Sequence, residues 1–342
     1  MRKVELNIAT AILVLAGTAA WASPMSLTAR TLIPSEARQI ISIDYGTLKK
    51  SDAAMSLKSQ VLPGNLKECE AALRAIAINP DKDLDNLTVA SFHDEKLGLT
   101  TVGIASGSFF LQSLQKVKSV KYNDHDFYPM SATLTMTFVD NSTLLFGEES
   151  ALRAALDTRD RHAPNLYSNQ RLLEMIKSVE EAPVWSVLDG QRTRNMLLAA
   201  LGDADTVARF TGVNDQILGA HYAMSFGHGV QFDVDVLTSD DDTAGIVRGL
   251  FKAGMLYKKV TSNPEQRVAL ANVRVTGAQV AEGSQLTDLG LHFKADQAQF
   301  LKLLHSSCFS ALSSEQEELS GLTSGSLTNG SKAVEASSHA SN

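Results

Sequence analysis

The feature that most constrains the fold is a period-two alternation of apolar and polar residues in several short segments. Residues 133–138 have apolar side chains at every even position, and residues 231–236 do the same. Successive side chains of a strand point to opposite faces of a sheet, so this pattern gives each strand one apolar and one polar face. Strands of parallel doubly wound sheets are instead apolar throughout. The sequence therefore predicts an α+β fold, with a mostly antiparallel sheet that carries helices on one face.

The order of the predicted elements repeats once along the chain. The first series begins at residue 36 and consists of a strand, two helices, two strands, a helix, two strands and a helix. The same order begins again at residue 183. The identity between the two segments is weak, so the repeat depends on element order. A period near 145 residues is too long for a solenoid and indicates an internal duplication. We predict two related α+β halves, residues 36–160 and 183–310, joined by a connecting segment, residues 161–182, that contains a helix.

The first 22 residues have the organisation of a secretory signal peptide. Arg2 and Lys3 are basic, residues 8–19 are mostly apolar, and residues 20–22 have the small-x-small pattern of a cleavage site. The apolar run is too short to span a bilayer comfortably, and no cysteine follows it to accept a lipid. We expect a cleaved signal, an exported protein that is periplasmic or extracellular, and no transmembrane segment in the mature chain. The alternative is an uncleaved N-terminal anchor.

Both ends of the predicted core are polar. Residues 23–35 contain Pro24 and Pro34, and we predict that they form a linker into the first strand. Residues 311–342 are dominated by Ser, Gly, Thr, Asn and Glu and have no apolar periodicity. Such a segment buries too little apolar surface to offset the entropy lost on ordering. A disordered, Ser-rich C-terminal tail is therefore predicted.

Charge and cysteine content exclude several functional classes. Without residues 1–22, the chain has 29 basic and 37 acidic side chains, because Arg2, Lys3 and Glu5 are removed from the totals. A formal charge of −8 does not suit nucleic-acid binding, which needs a concentrated basic surface. Cys69 and Cys308 each belong to an apolar helical stripe, which favours two buried thiols. A disulfide between them stays open as the alternative.

One predicted hairpin brings titratable side chains together. If a three-residue turn centred on His228 joins its strands, then His221 lies opposite Asp235, and Ala223 lies opposite Asp233. A histidine beside two carboxylates can serve acid/base chemistry or bind a metal. A solvated cross-strand charge pair is the simpler interpretation, since the sequence identifies no third ligand. His221, Asp233 and Asp235 are therefore weak catalytic candidates, and no metal ligand is assigned.

Signatures of common enzyme classes do not occur in the sequence. It contains no nucleophile elbow, P-loop, dinucleotide-binding glycine motif, H-E-x-x-H or C-x-x-C. Residues 79–85 superficially resemble a calcium loop, but Asn86 and Phe92 stand at the two positions where an EF-hand requires Gly and Glu at this spacing. We interpret this segment as a turn and predict no cofactor.

Three short structural motifs occur between residues 32 and 308. Their sequences are Ile-Pro-Ser-Glu-Ala at residues 33–37, Asn-Pro-Asp-Lys-Asp at 79–83 and Leu-Phe-Gly-Glu-Glu-Ser-Ala-Leu-Arg at 145–153. With the element order above, they make the chain similar to exported bacterial proteins of unknown function built from tandem α+β units. The resemblance implies this fold and export. It transfers no catalytic residue.

Two functional classes follow from these observations. The first is an exported, non-enzymatic binding or structural module that contacts a protein, peptide or envelope component through its open sheet faces. The second is a metal-dependent or acid/base hydrolase that uses His221, Asp233 and Asp235. The binding module is favoured, because side chains on an open face lack the burial that shifts pKa values toward catalytic ones. A cleft could still form between the halves, near residues 160–182.

Overall fold

The computed structural model describes residues 24–51, 54–55, 64–94, 98–109, 117–201, 214–226, 229–261, 273–275, 287–296 and 298. The predicted signal peptide, the Ser-rich tail, Cys308 and the turn centre at His228 lie outside these residues. Cys69 is buried, as predicted, and burial raises the pKa of its thiol.

The described residues form eight α-helices and twelve strands, and six of the strands follow one another between Leu84 and Gly147 with no described helix between them. The helices are α1 (Leu27–Leu32), α2 (Tyr45–Leu48), α3 (Gly64–Ala75), α4 (Pro80–Asp83), α5 (Glu149–Arg159), α6 (Gln170–Val179), α7 (Gly190–Leu201) and α8 (Asp241–Thr261). The strands are β1 (Ala37–Asp44), β2 (Leu84–Asp94), β3 (Gly98–Gly107), β4 (Val120–Tyr122), β5 (His125–Pro129), β6 (Thr135–Asp140), β7 (Thr143–Gly147), β8 (Val184–Asp189), β9 (Ile217–Ser225), β10 (Val230–Thr238), β11 (Val273–Val275) and β12 (Thr287–Ala295). Within the described residues, no helix combines the length and the apolar character needed to cross a membrane.

All twelve described strands belong to one antiparallel sheet. Their order is β11-β12-β10-β9-β8-β1-β2-β3-β7-β6-β5-β4. The α+β class with an antiparallel sheet is therefore confirmed. The sheet does not divide between the predicted halves, because β1 pairs with β8 and places Ile40 opposite Val187 and Ser42 opposite Trp185. This pairing satisfies the backbone groups that two separate sheets would leave exposed at their edges. The duplication itself stays a prediction.

Helices cover both faces of the sheet around β2, whereas alternation predicted one covered face. Residues 86–92 are buried without interruption. Ala90 and Phe92 belong to a core cluster under α1, α5 and α6, while Leu87 and Val89 belong to a second cluster under α3. A strand with apolar side chains on both faces needs a cover on each of them. The expected open polar face is therefore closed in this part of the sheet.

The sheet beyond β8 follows the alternating pattern more closely. On one face, Leu188, Ala220 and Val236 pack with residues of α7 and α8 in a third apolar cluster. The opposite face carries His221, and its β10 positions are Asp233 and Asp235. The polar positions that alternation predicted on β10 therefore share one face, but His221 and Leu237 on that face are buried.

The segment predicted as an N-terminal linker contains a packed helix instead. Helix α1 begins after Ser26, whose hydroxyl oxygen accepts a hydrogen bond from the amide of Ala29 at 3.1 Å. Leu32 is completely buried in the core under α5 and α6. Arg30 forms a hydrogen-bonded ion pair with Glu180 at the end of α6. The two prolines flank the helix, so neither interrupts its hydrogen bonds, and the linker prediction for residues 23–35 is wrong.

Helix α6 lies within the predicted connecting segment, residues 161–182. It packs at the place where β1 pairs with β8, which we call the central joint, and fixes the geometry there. It begins at Asn169, whose side chain accepts a hydrogen bond from the amide of Leu172 at 3.1 Å and donates one to the carbonyl of Ser35 at 2.9 Å. The preceding 3-10 turn, Leu166–Ser168, is linked to the end of α1 by a hydrogen bond from the Leu166 amide to the Ile33 carbonyl. The connecting segment is thus part of the core, and it forms one wall of a cleft described below.

Candidate functional site

The predicted register of the His221 hairpin is confirmed. Asp235 lies opposite His221, and Asp233 lies opposite Ala223. The His221 Nδ1 atom is 3.6 Å from Asp235 Oδ2, which is beyond the distance of a normal hydrogen bond. The His221 side chain is 9% exposed. The histidine is therefore buried beside the carboxylate rather than solvated as the sequence suggested.

Long-range pairing explains the burial of His221. The residue lies opposite Val187 on β8, and paired residues of antiparallel strands share a face. Val187 belongs to the core cluster that α6 covers, and α6 packs against both β8 and β9. Burial disfavours the charged imidazolium and lowers the pKa of His221 to about 4. Although Asp235 is close enough for an ion pair, His221 is neutral at pH 7.

A second histidine forms a separate pair on the same face. His292 Nδ1 lies 2.7 Å from Asp233 Oδ1, within hydrogen-bonding distance, and the side-chain Nε2 of Gln231 donates to Asp233 Oδ2 at 2.9 Å. His292 lies opposite Asp233 on β12. The sequence analysis missed His292, because only the pairing of β12 with β10 places this residue beside Asp233. Asp233 is thus hydrogen-bonded to His292, while His221 lies beside Asp235.

These four side chains do not converge on one point. Among the residues that the structure describes, no group of three or more His, Cys, Asp or Glu side chains has the geometry to hold a metal ion. A metal-dependent hydrolase would require such a group, or a water positioned between several ligands. The arrangement consists of two neighbouring His–Asp pairs.

The low pKa of His221 predicts a pH-dependent stability. Between pH 6.5 and about 4, an unfolded chain protonates this histidine while the folded protein does not, so acidification favours unfolding. Above pH 6.5, the titration of His221 does not reduce the free energy of unfolding. Near pH 4, the reduction reaches up to about 3 kcal/mol. We expect denaturant titrations of wild type and His221→Gln at pH 7 and pH 4.5 to show a smaller loss in the variant.

Other groups also titrate in this interval, so the informative quantity is the difference between the two proteins. His93→Gln is the matched control, because His93 is an exposed histidine of β2. It should lose as much stability as wild type. An equal loss in His221→Gln and wild type would contradict the assigned burial.

A cleft of about 770 Å³ opens at the central joint of the molecule. Its walls are the turn before α6, the first turns of α6, the β8–α7 junction and the start of β9. Apolar side chains that line it are Leu172, Met175, Ile217 and Leu218. Polar side chains that line it are Ser35, Ser168, Asn169, Gln170, Arg171, Asp189, Gln191, Arg194 and Asp215. The cleft therefore combines apolar residues with both signs of charge.

Local hydrogen bonds fix the two helix starts that border the cleft. The Asp189 carboxylate accepts a hydrogen bond from the Arg192 amide at 2.7 Å and begins α7, as Asn169 begins α6. Gly190 follows Asp189, and a Cβ atom at this position would lie 2.5 Å from the carbonyl oxygen of Ile217. Glycine thus permits the close approach of α7 to the start of β9 that narrows this side of the cleft.

Two arginines and two aspartates supply the charges of the cleft. Arg171 and Asp215 are exposed, and Arg194 is half-buried, with Nη1 3.5 Å from the carbonyl oxygen of Ile217. Asp189 has one carboxylate oxygen bonded to the start of α7. The sequence suggested a cleft near residues 160–182 but did not identify the residues that β8, α7 and β9 contribute to it.

The fold and the cleft define an α+β protein built on one antiparallel sheet, and comparisons with known proteins give a distant likeness. No protein-family model matches the chain, and no curated protein matches it. Two solved structures of TP0453, a Treponema protein, each cover 83% of this chain. Crystal form I has 9% identity, a TM-score of 0.41 and 96% of its own chain covered; crystal form III has 11%, 0.44 and 98%. No residue takes a role from similarity at this level.

Proposed function

We propose that the protein is an exported, non-enzymatic binding module of a bacterial cell envelope, and that its ligand occupies the cleft at the central joint. The observation that carries this proposal is the cleft itself. Its volume of about 770 Å³ falls within the range of ligand-binding cavities, and its lining is mostly polar, with nine polar or charged side chains that can orient a ligand and four apolar ones. The ligand is a peptide, a protein segment or an envelope component.

The chemistry of the His–Asp pairs favours binding over hydrolysis. A general base works best when its pKa lies near the operating pH, and burial holds the pKa of His221 near 4. Asp233 is hydrogen-bonded to His292 rather than positioned beside His221. The hydrolase alternative, with His221, Asp233 and Asp235 in one centre, therefore has less support than a binding module.

Export is the part of the proposal that depends on residues 1–22. Their basic, apolar and small-residue regions support cleavage after Ala22. We expect the intact mass of the protein from its native host to correspond to a chain that begins at Ser23. Soluble protein that retains Met1 would contradict the export proposal and would leave the cleft proposal unaffected.

Blocking the cleft should remove the ligand. Ser168 lines the cleft at an exposed position, so Ser168→Trp adds bulk to the cleft without changing the core. We expect protein isolated from its own envelope fraction to lose the molecules that copurify with wild type, as measured by mass spectrometry after denaturation. The ligand fraction should fall at least tenfold.

Lys177→Trp is the matched control for this experiment. Lys177 is an exposed residue near the end of α6 and does not line the cleft. The control variant should retain the ligand at the level of wild type. Equal retention by Ser168→Trp and Lys177→Trp would mean that the ligand binds elsewhere, and it would overturn the proposal.

A further inference from the structure

We infer that protonation of His221 releases helix α6 from the sheet and thereby opens the cleft at the central joint in acid. Residues of α6 form one wall of the cleft, and His221 lies on the face of β9 that this helix covers. The inference concerns a movement of the protein itself. It does not depend on which ligand the cleft binds.

Gly219 shows how closely α6 approaches the strand beside His221. Gly219 is two residues before His221 on β9, so the two residues share a face of the sheet. A Cβ atom at Gly219 would lie 3.0 Å from the sulfur of Met175, a buried residue of α6 that also lines the cleft. One residue therefore connects the strand that carries His221 to the wall of the cleft. Helix α6 cannot leave this face of the sheet without moving that wall.

The imidazole of His221 is enclosed without a hydrogen bond at Nδ1. Within the described part of the chain this buried nitrogen has no hydrogen-bond partner, and Asp235 Oδ2 is 3.6 Å away. A neutral ring tolerates such a position better than an imidazolium, which needs a partner when it leaves water. Burial accordingly lowers the pKa of His221 from 6.5 to about 4. Acid therefore favours any arrangement in which water reaches the ring.

The charged groups around His221 do not stabilise an imidazolium in the closed arrangement. On β10, Asp235 lies opposite His221 beyond hydrogen-bonding distance, and Asp233 is hydrogen-bonded to His292 of β12. On β8, Asp189 lies diagonal to His221, and its carboxylate accepts a hydrogen bond at the start of α7. The charged residues of α6 lie on its exposed side or at its end; they are Arg171, Glu174, Lys177 and Glu180.

Moving α6 is the smallest change that exposes His221. Strand β9 is hydrogen-bonded to β8 on one side and to β10 on the other, so a movement of β9 would break backbone pairing twice. Helix α6 instead packs on the core through apolar side chains, those of Leu172, Met175, Ile176 and Val179. Local opening of one element costs less free energy than unfolding of the whole protein. The proton on His221 therefore displaces α6 rather than the sheet.

Native-state hydrogen exchange of the full-length protein at pH 7 and pH 5 tests the inference. The exchange rates of α6 amides, divided by the intrinsic rates at each pH, give the equilibrium constant for opening. With a pKa of about 4 when α6 is closed and 6.5 when it is open, this constant should rise about twentyfold from pH 7 to pH 5. It should depend little on denaturant, because a local opening exposes little surface. Amides of α5 should show a steeper denaturant dependence.

Substitutions assign the response to His221. His221→Gln and His221→Leu both remove the titrating group, and in either variant the rise in the α6 opening constant should fall below about twofold. His292→Gln is the matched control, because this histidine is 44% exposed and belongs to the other His–Asp pair. It should keep the rise of wild type. The denaturant slopes of wild type test the inference even where a variant does not fold.

Two results would overturn the inference. An equal rise in wild type and in both His221 variants would mean that another group drives the opening. A parallel rise for α6 and α5, with the same steep denaturant slope, would mean that His221 titrates only when the whole protein unfolds. Neither result affects the proposed binding cleft, which is tested separately by ligand retention in Ser168→Trp.

Discussion

Replacing Leu32 with alanine is expected to lower the free energy of unfolding by about 2–5 kcal/mol. Leu32 is 0% exposed and belongs to the core cluster shared by α1, α5 and α6. The substitution removes buried apolar surface and leaves a cavity whose walls lose their packing partners. The measurement is denaturant unfolding of both proteins, read as a change in midpoint at constant slope.

A leucine of the same helix provides the control. Leu27 is 74% exposed, so Leu27→Ala should change stability by no more than about 0.5 kcal/mol. Equal, small effects of the two substitutions would mean that residues 23–35 are the linker suggested by their polar composition and two prolines. A large effect of Leu32→Ala alone would establish that the N-terminal helix is part of the folding unit.

Replacing Trp185 with alanine should lower the free energy of unfolding by about 3–5 kcal/mol. Trp185 is 1% exposed and lies opposite Ser42, where β8 and β1 join the two series of strands. Because one sheet runs through this joint, we expect the whole protein to unfold in a single transition that shifts as a unit. Circular dichroism and tyrosine fluorescence of the Trp185→Ala variant should report the same unfolding midpoint.

Tyr167→Ala is the aromatic control, because Tyr167 is 41% exposed in the turn before α6. Its effect on the unfolding midpoint should be small. Two separate transitions in wild type, with Trp185→Ala moving one of them, would contradict a single cooperative unit. That result would favour two halves that fold independently.

Features that depend on neighbouring residues were predictable from sequence. Alternation at residues 231–236 predicted the antiparallel strand and the pairing of His221 with Asp235. Asp240 directly precedes α8 and accepts a hydrogen bond from the amide of Thr243 at 2.7 Å, as expected for an acidic residue at the start of a helix. The Asn79 side chain likewise caps α4 through the amide of Asp81, as expected for a turn rather than a calcium loop.

Other features were misread because a nearby chain segment, remote in sequence, changes the meaning of the local pattern. The polar, proline-containing residues 23–35 resemble a linker, yet four apolar side chains among them are sufficient to dock a short helix. Those side chains are Met25, Ala29, Leu32 and Ile33.

The sequence by itself determined the class of fold, the strand alternation, several helix caps and the register of one hairpin, because these follow from hydrogen bonds and side-chain directions within a few residues. The tertiary structure decided which strands meet in one sheet, which faces are covered, the burial of His221 and the lining of the cleft. Each of these depends on contacts between distant segments. Arg171 and Arg194 enter one cleft because β1, β8 and β9 pair side by side and bring α6 and α7 together.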